Sequence, residues 1–266
     1  MKIVIFTTKN HLYANKVIKA LLNEKNIQID LIIESKVSGI KKYIKKAGIR
    51  YVFVQACKVL FFQFGSFIYA LIFPRNYTHI LYPYRKMIKN KNIIHTTKDI
   101  NSKEMLRIIK KVNPDILASI LANQILHEEL LGIPKYGTVN MHPALLPSYR
   151  GVSPTFWVLA NQEKKTGVSI HTITDKEIDK GKLVAQQEIP IHQSDSEHTL
   201  YMRCITLGTP LLISVLHNMV KGKTKVLHLK SKIKSSYYSI PTKNDIKRFY
   251  RNGRCFYRIR ELFYEK

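Results

Sequence analysis

Apolar positions in the first half of the chain form short runs separated by stretches with helical spacing. Lys2–Thr7 predicts a first strand, followed by a helix from about Leu12 to Asn23. Ile27–Glu34, rich in Ile, predicts a second strand, and Asn92–His95 a short third. Ser102–Val112 reads as an amphipathic helix, Asp115–Leu121 as a buried strand and Gly137–Met141 as another. This alternation predicts an α/β, Rossmann-like domain: a mostly parallel sheet with helices on both faces. No GxGxxG or GxxxxGK[ST] occurs, so the usual glycine-rich phosphate cradles are absent.

The pattern continues with a helix over Ser153–Asn161, an alternating strand over Thr166–Thr174 and a further strand over Lys182–Ile191. Ser194 and Glu197 have the spacing of a capping box, which would open a long helix to about Lys221, kinked at Pro210. The chain thus divides into a domain over 1–221, with an apolar and basic insertion at about 39–91, and a basic, aromatic C-terminal tail over 222–266.

The insertion contains a nearly continuous apolar segment, Tyr51 to Phe73, interrupted by Gln55, Lys58, Gln63 and Gly65. Lysines and arginines flank it on both sides, including Lys41, Lys42, Lys45, Lys46 and Arg50 before it and Arg75, Arg85, Lys86, Lys89 and Lys91 after it. Three placements fit this pattern. The segment is a helix buried against the sheet or at a homodimer contact, a helix lying on an anionic membrane surface, or a span with Lys58 snorkelling.

Charge enlarges the field of partners. The chain carries 44 Lys and Arg against 18 Asp and Glu, a formal +26. Such a field attracts nucleic acid, acidic lipid or phosphorylated metabolites, although Lys, Ile and Asn are abundant throughout the chain. Cys57, Cys204 and Cys255 lie far apart without metal-ligand spacing, so no metal is predicted and a reducing compartment fits. The apolar run Ile3–Phe6 is too short for a signal-peptide core, which predicts a cytoplasmic protein, with attachment to the inner face of a membrane as a further expectation.

The chemistry concentrates between Gly137 and Gln187. Asn140 and His142 are two apart at the end of a strand and so point the same way. Asp179 follows in the polar loop after the next long strand, and loops after strand ends of a parallel sheet gather on one edge. An amide, an imidazole and a carboxylate together can stabilise an oxyanion and move protons. With no Ser or Cys nucleophile beside them, the set suits direct attack by a substrate amine. Each residue taken alone also fits a plainer role, His142 as a satisfied loop histidine and Asp179 as a turn cap.

The combination is more specific. Asn140, His142, Pro143, Leu145, Leu146, Pro147, Gly151, Pro154, Trp157, Thr166, Gly167, Val168, His171, Asp179 and Gly181 together resemble the catalytic core of the 10-formyltetrahydrofolate-dependent formyltransferases. Ala144 stands where that family usually has Ser, and Gln162 where Gly often precedes the Glu. The resemblance implies that Asn140, His142 and Asp179 are catalytic. It also implies that Asn123, Gln124, Ile125 and Leu126, with the loop from Asp175 to Ile178, line the pocket for 10-formyltetrahydrofolate, largely through backbone groups.

The resemblance leaves the acceptor open. About 45 residues follow the long helix, too few for the C-terminal barrel of methionyl-tRNA formyltransferases. The compact glycinamide ribonucleotide enzymes lack such an insertion and tail. Sugar N-formyltransferases share the core and vary in the tail, which makes the amine of a nucleotide-linked amino sugar the expected acceptor. The tail's 13 Lys and Arg, interleaved with Tyr237, Tyr238, Phe249, Tyr250 and others, suit a nucleotide; they equally suit a helix over Lys243–Glu265 packing its aromatics inward. Two other classes remain: a formyltetrahydrofolate hydrolase, which usually has a second His where Pro143 stands, and a non-enzymatic nucleic-acid- or membrane-binding protein.

Overall fold

The computed structural model describes residues 1–37, 39–72, 83–229 and 233–263. Phe73, Arg75 and residues 264–266 of the predicted segments lie outside the described residues. The elements run β1 (Lys2–Thr8), α1 (Ala14–Asn23), β2 (Gln28–Ser35), α2 (Ile40–Ala47), α3 (Ile49–Ile72), β3 (Ile94–Thr97), α4 (Lys103–Val112), β4 (Ile116–Ile120) and α5 (Glu128–Leu131). They continue with β5 (Thr138–His142), β6 (Arg150–Gly151), α6 (Pro154–Ala160), β7 (Lys165–Ile173), β8 (Leu183–Pro190), α7 (Glu197–Val220), β9 (Tyr237–Tyr238) and α8 (Lys243–Arg251).

Seven strands form one sheet in the order β3-β2-β1-β4-β5-β7-β8. The first five are parallel; β7 runs antiparallel to β5, and β8 antiparallel to β7. β1 is apolar from Ile3 to Phe6, and β4 is apolar but for Ser119, because both their faces are covered. On one face Ile3, Ile5, Ile116, Ala118 and Val139 pack against α1, α7 and Phe62; on the other Val4, Phe6, Leu31, Ile33 and Leu117 pack against α4. The chain winds outward from β1 through β2 to β3, then crosses back to β4 on the other side of β1. That reversal opens a crevice at the strand ends between β1 and β4, where open α/β sheets bind ligands.

The insertion between β2 and β3 is an α2–α3 hairpin turned by Gly48, whose φ of 90° suits glycine. Tyr51, Lys58 and Phe62 of α3 face the protein: Phe62 stacks on His198 with ring centroids 3.8 Å apart, and Lys58 Nζ pairs with Glu197 Oε2 at 2.7 Å. The opposite face of α3 is exposed, so the buried placement holds for one side of this helix only.

Two local expectations are corrected. The box that opens α7 is built by Ser196 and Thr199, each side chain accepting the other's backbone N–H, and not by Ser194 and Glu197. Glu197 is drawn off by Lys58 and by the Thr155 hydroxyl, which donates at 3.0 Å. In the tail, α8 ends at Arg251 instead of continuing to Glu265; Gly253 at φ 69° turns the chain, and a 3₁₀ turn follows at Ile259–Phe263. Phe249 and Phe256 are buried against Phe156 of α6, while β9 pairs with β6 beside the site.

Candidate active site

β5 sets Asn140 and His142 on one face of the sheet, and the β5–β7 register places His171 directly opposite Asn140. Because β7 is antiparallel, strand-end logic would carry its loop to the far edge. The chain doubles back instead: Thr172 N–H donates to the Lys182 carbonyl at 2.9 Å, and Asp179 takes a left-handed φ of 53°. Gly181 is required there, since a Cβ would stand 1.6 Å from the Thr172 carbonyl oxygen. The loop returns Asp179 to the sheet face over Asn140, so the expected meeting of the three side chains occurs by a different route from the one the sequence suggested.

Asn140 Nδ2 lies 3.0 Å from His171 Nε2 and donates to Asp179 Oδ1 at 3.3 Å. His142 Nε2 donates to the Tyr149 carbonyl at 2.8 Å, leaving Nδ1 to face Asp179 Oδ2 at 3.6 Å. Gly151 N–H donates to the same Oδ2 at 2.8 Å, and His171 Nε2 lies 3.3 Å from Oδ1. Asp179 within this cluster, and Leu121, Tyr149 and Ser153 beside it, are all at positive φ, an accumulation of backbone strain of the kind found at functional sites.

Burial pushes the His142 pKa down from its ordinary value, and Asp179 with the Tyr149 carbonyl restores it only in part. His142 is therefore neutral at pH 7. Burial alone would raise the Asp179 pKa, but His142, His171 and the Gly151 N–H outweigh it and hold the carboxyl below the usual carboxylate range.

The cluster lines a cavity of about 660 Å³, whose walls are grouped here by element into two sides, called lobes. One is walled by Leu121–Leu126 after β4 and by Thr174–Ile178 after β7, and it contains Asn123, Gln124, Ile125, Leu126, Asp175 and Ile178. The polar side chains here are tied back to the scaffold. Gln124 accepts from Ile100 N–H and donates to the Lys98 carbonyl, Asn123 is held by Ser35 and the Lys36 carbonyl, and Asp175 accepts from Glu177 N–H. What they leave to a ligand is backbone edges and the side chains of Ile125, Leu126 and Ile178.

The second lobe was not anticipated. His11 and Tyr13 after β1, Lys42 and Tyr43 of α2, Tyr51, Gln55 and Lys58 of α3, and Tyr201 of α7 line it. Tyr13 stacks on Tyr201 at 4.0 Å, Lys58 Nζ lies 5.7 Å from the Tyr13 ring, and His11 Nδ1 is buried without a hydrogen-bond partner among the described residues. The loop after β1 meets the same strand-end criterion as the loop after β5, and His11 was legible by it. His171 was visible only as one residue of the pattern; its place depends on the strand register.

Over 139 residues the chain is 39% identical to the bifunctional polymyxin resistance protein ArnA of Wigglesworthia glossinidia brevipalpis, covering 52% of this chain and 21% of that one. Over 151 residues it is 37% identical to the methionyl-tRNA formyltransferase of Thermotoga neapolitana, covering 56% of this chain and 47% of that one. The chain thus spans less than half the length of these relatives. The fold matches the N-formyltransferase of Helicobacter canadensis, solved with folinic acid and dTDP-3-aminofucose, with a TM-score of 0.51 and 18% identity over 90% of this chain and 70% of that one. Residues 1–216 match the family model described as formyl transferase, and the chain belongs to the formyl transferase family.

Proposed function

We propose that the protein transfers a formyl group from 10-formyltetrahydrofolate to the amino group of a nucleotide-linked amino sugar. The observation that carries this reading is the contact of Asn140, His142 and Asp179 in the wall of one cavity. A volume of about 660 Å³ suits ligands of folate size, and the backbone edges of the first lobe suit the hydrogen-bonding rim of a pterin. When bound, the folate supplies an activated formyl carbon.

Asn140 Nδ2 donates to the formyl oxygen as its negative charge grows, giving up the 3.3 Å bond to Asp179. As the acceptor amine attacks the formyl carbon, His142 Nδ1, neutral and unoccupied by a donor, takes the proton that the amine sheds; the bond from that carbon to the folate nitrogen then breaks, and the proton passes to this nitrogen as tetrahydrofolate leaves. Asp179 remains ionised and stabilises the imidazolium that forms 3.6 Å away. Gly151 N–H and His171 keep the carboxylate aimed. His142, and not Asp179, is thus the proton acceptor. A carboxyl held so far below its ordinary pKa is a weak base.

The second lobe supports the sugar acceptor. Tyr13, Tyr43, Tyr51 and Tyr201 offer apolar ring faces, and Lys42 and His11 offer polar contacts, in a space bordered by α2 and α3. The Helicobacter canadensis structure holds an amino sugar nucleotide on the same fold. A charged tRNA acceptor is the second reading, favoured by the 37% identity to a methionyl-tRNA formyltransferase and by the net charge of +26. The test is an acceptor screen with 10-formyltetrahydrofolate, in which amino sugar nucleotides, glycinamide ribonucleotide and charged initiator tRNA are followed by mass. Formylation of an amino sugar nucleotide is expected. Formylation of the tRNA alone moves the assignment to the second reading, and formate release without any formylated amine overturns transfer.

A further inference from the structure

The exposed side of α3 is a continuous apolar stripe. Ile49, Phe53, Ala56, Leu60, Phe64 and Phe67 succeed one another at steps of four and three residues, which aligns them along one face of a helix. Ile49 is 68% exposed, Phe53 67%, Leu60 66%, Phe64 66% and Phe67 53%. The stripe runs about 27 Å, at about 1.5 Å per residue. The opposite side is fixed: Lys58 is locked to Glu197, Phe62 is stacked on His198, and Leu262 packs against Gly65 so closely that a Cβ there would lie 2.2 Å from it. The helix is therefore held to the protein by one side while presenting aromatic and aliphatic side chains on the other.

Charge identifies what covers it. Residues 36–91 contain twelve Lys and Arg and no Asp or Glu. Lys41, Lys42, Lys45 and Lys46 of the adjoining α2 are exposed, as is Arg50 at the start of α3. A second copy laid on this face would bring two strongly basic surfaces together, which is repulsive. A surface that is negatively charged and apolar just beneath its charge complements both features, and an anionic bilayer is such a surface.

We infer that the α2–α3 face docks on an anionic phospholipid bilayer, with the α3 stripe inserted at the level of the headgroups and the α2 lysines against the lipid phosphates. Docking sets Gly39, Lys42 and Tyr43, which line the second lobe, beside the bilayer surface.

The test is vesicle flotation of the full chain with phosphatidylglycerol-containing and pure phosphatidylcholine vesicles. Two variants are compared, Phe53→Ser/Leu60→Ser/Phe64→Ser and Lys41→Glu/Lys45→Glu, each on exposed residues so that thermal melting stays at the wild-type value. The wild type floats with anionic vesicles only, and each variant binds about tenfold or more weakly. A wild type that stays at the bottom with anionic vesicles overturns the inference. So does a serine variant that floats like the wild type, since binding would then come from charge elsewhere. Sedimentation equilibrium supplies the remaining outcome. A wild-type dimer that the serine variant dissociates assigns the face to self-association instead.

Discussion

His142 and Asp179 face each other at 3.6 Å through the one imidazole nitrogen left free, because Nε2 is held by the Tyr149 carbonyl. An ionised carboxylate opposite an unprotonated nitrogen makes that nitrogen a better proton acceptor.

Replacing Asp179 tests this pairing. In Asp179→Asn, kcat/KM for formyl transfer should fall by about 10²–10⁴, the usual worth of positioned acid–base catalysis. On the proposed mechanism activity depends on neutral His142 and should be lost as pH falls through a pKa below the ordinary 6.5. The carboxylate raises that pKa, so the acid limb of the variant should move to still lower pH. A pH–rate profile on both proteins checks this; an unmoved or higher limb contradicts the pairing.

Gly181 lies outside the chemistry and should still govern it. A Cβ at this position collides with the Thr172 carbonyl and must push the returning loop away from Asn140. Misplacement of a catalytic group by about 1 Å can cost 10²-fold, so Gly181→Ala should lose about that much in kcat with little change in melting temperature.

The Lys58–Glu197 pair links the insertion to α7, with side chains 7% and 8% exposed. Lys58→Met leaves Glu197 buried without its cation and should cost about 3–5 kcal/mol in urea unfolding. Lys58→Met/Glu197→Gln should recover most of that loss, since a neutral amide can still accept from the Thr155 hydroxyl. A double variant as unstable as the single would mean that packing of the lysine stem, not charge, holds α3 in place.

Acid should destabilise the fold through His198. Burial, then the charge of Lys58, lowers its pKa to about 3, and it sits 3.0 Å from the Tyr13 hydroxyl. The unfolded chain binds a proton here below about pH 6.5, while the folded one remains neutral. Stability therefore falls as pH falls through that window, by about 1.4 kcal/mol per pH unit for this histidine. His198→Gln should flatten the dependence by that slope between pH 6.5 and 5, measured by urea unfolding at each pH.

Several of these features were open to the sequence, and the reasons the others were not are physical. β1 and β4 are legible because strands buried on both faces must be largely apolar. Asn140 and His142 follow from the two-residue period of a strand. The direction of β7 is not encoded in its alternation, so neither the doubling back of the Asp179 loop nor the position of His171 could be read. The cap of α7 went to Ser196 and Thr199 because Glu197 is captured by a lysine 139 residues away in sequence, a contact no local spacing records. The second lobe depends on how α2 and α3 fold back over the sheet, and apolar runs alone do not give that placement.

On the proposed mechanism Asn140 and His142 carry formyl transfer, while the lobe proposed for folate binds it independently of them. The most direct measurement compares formyl transfer by the wild type, Asn140→Ala and His142→Ala, each first shown to gain the wild-type melting shift with a reduced folate. The account predicts intact folate binding with transfer reduced by about 10²–10³ or more in each variant. Near-normal turnover in a His142→Ala protein that binds folate would contradict it.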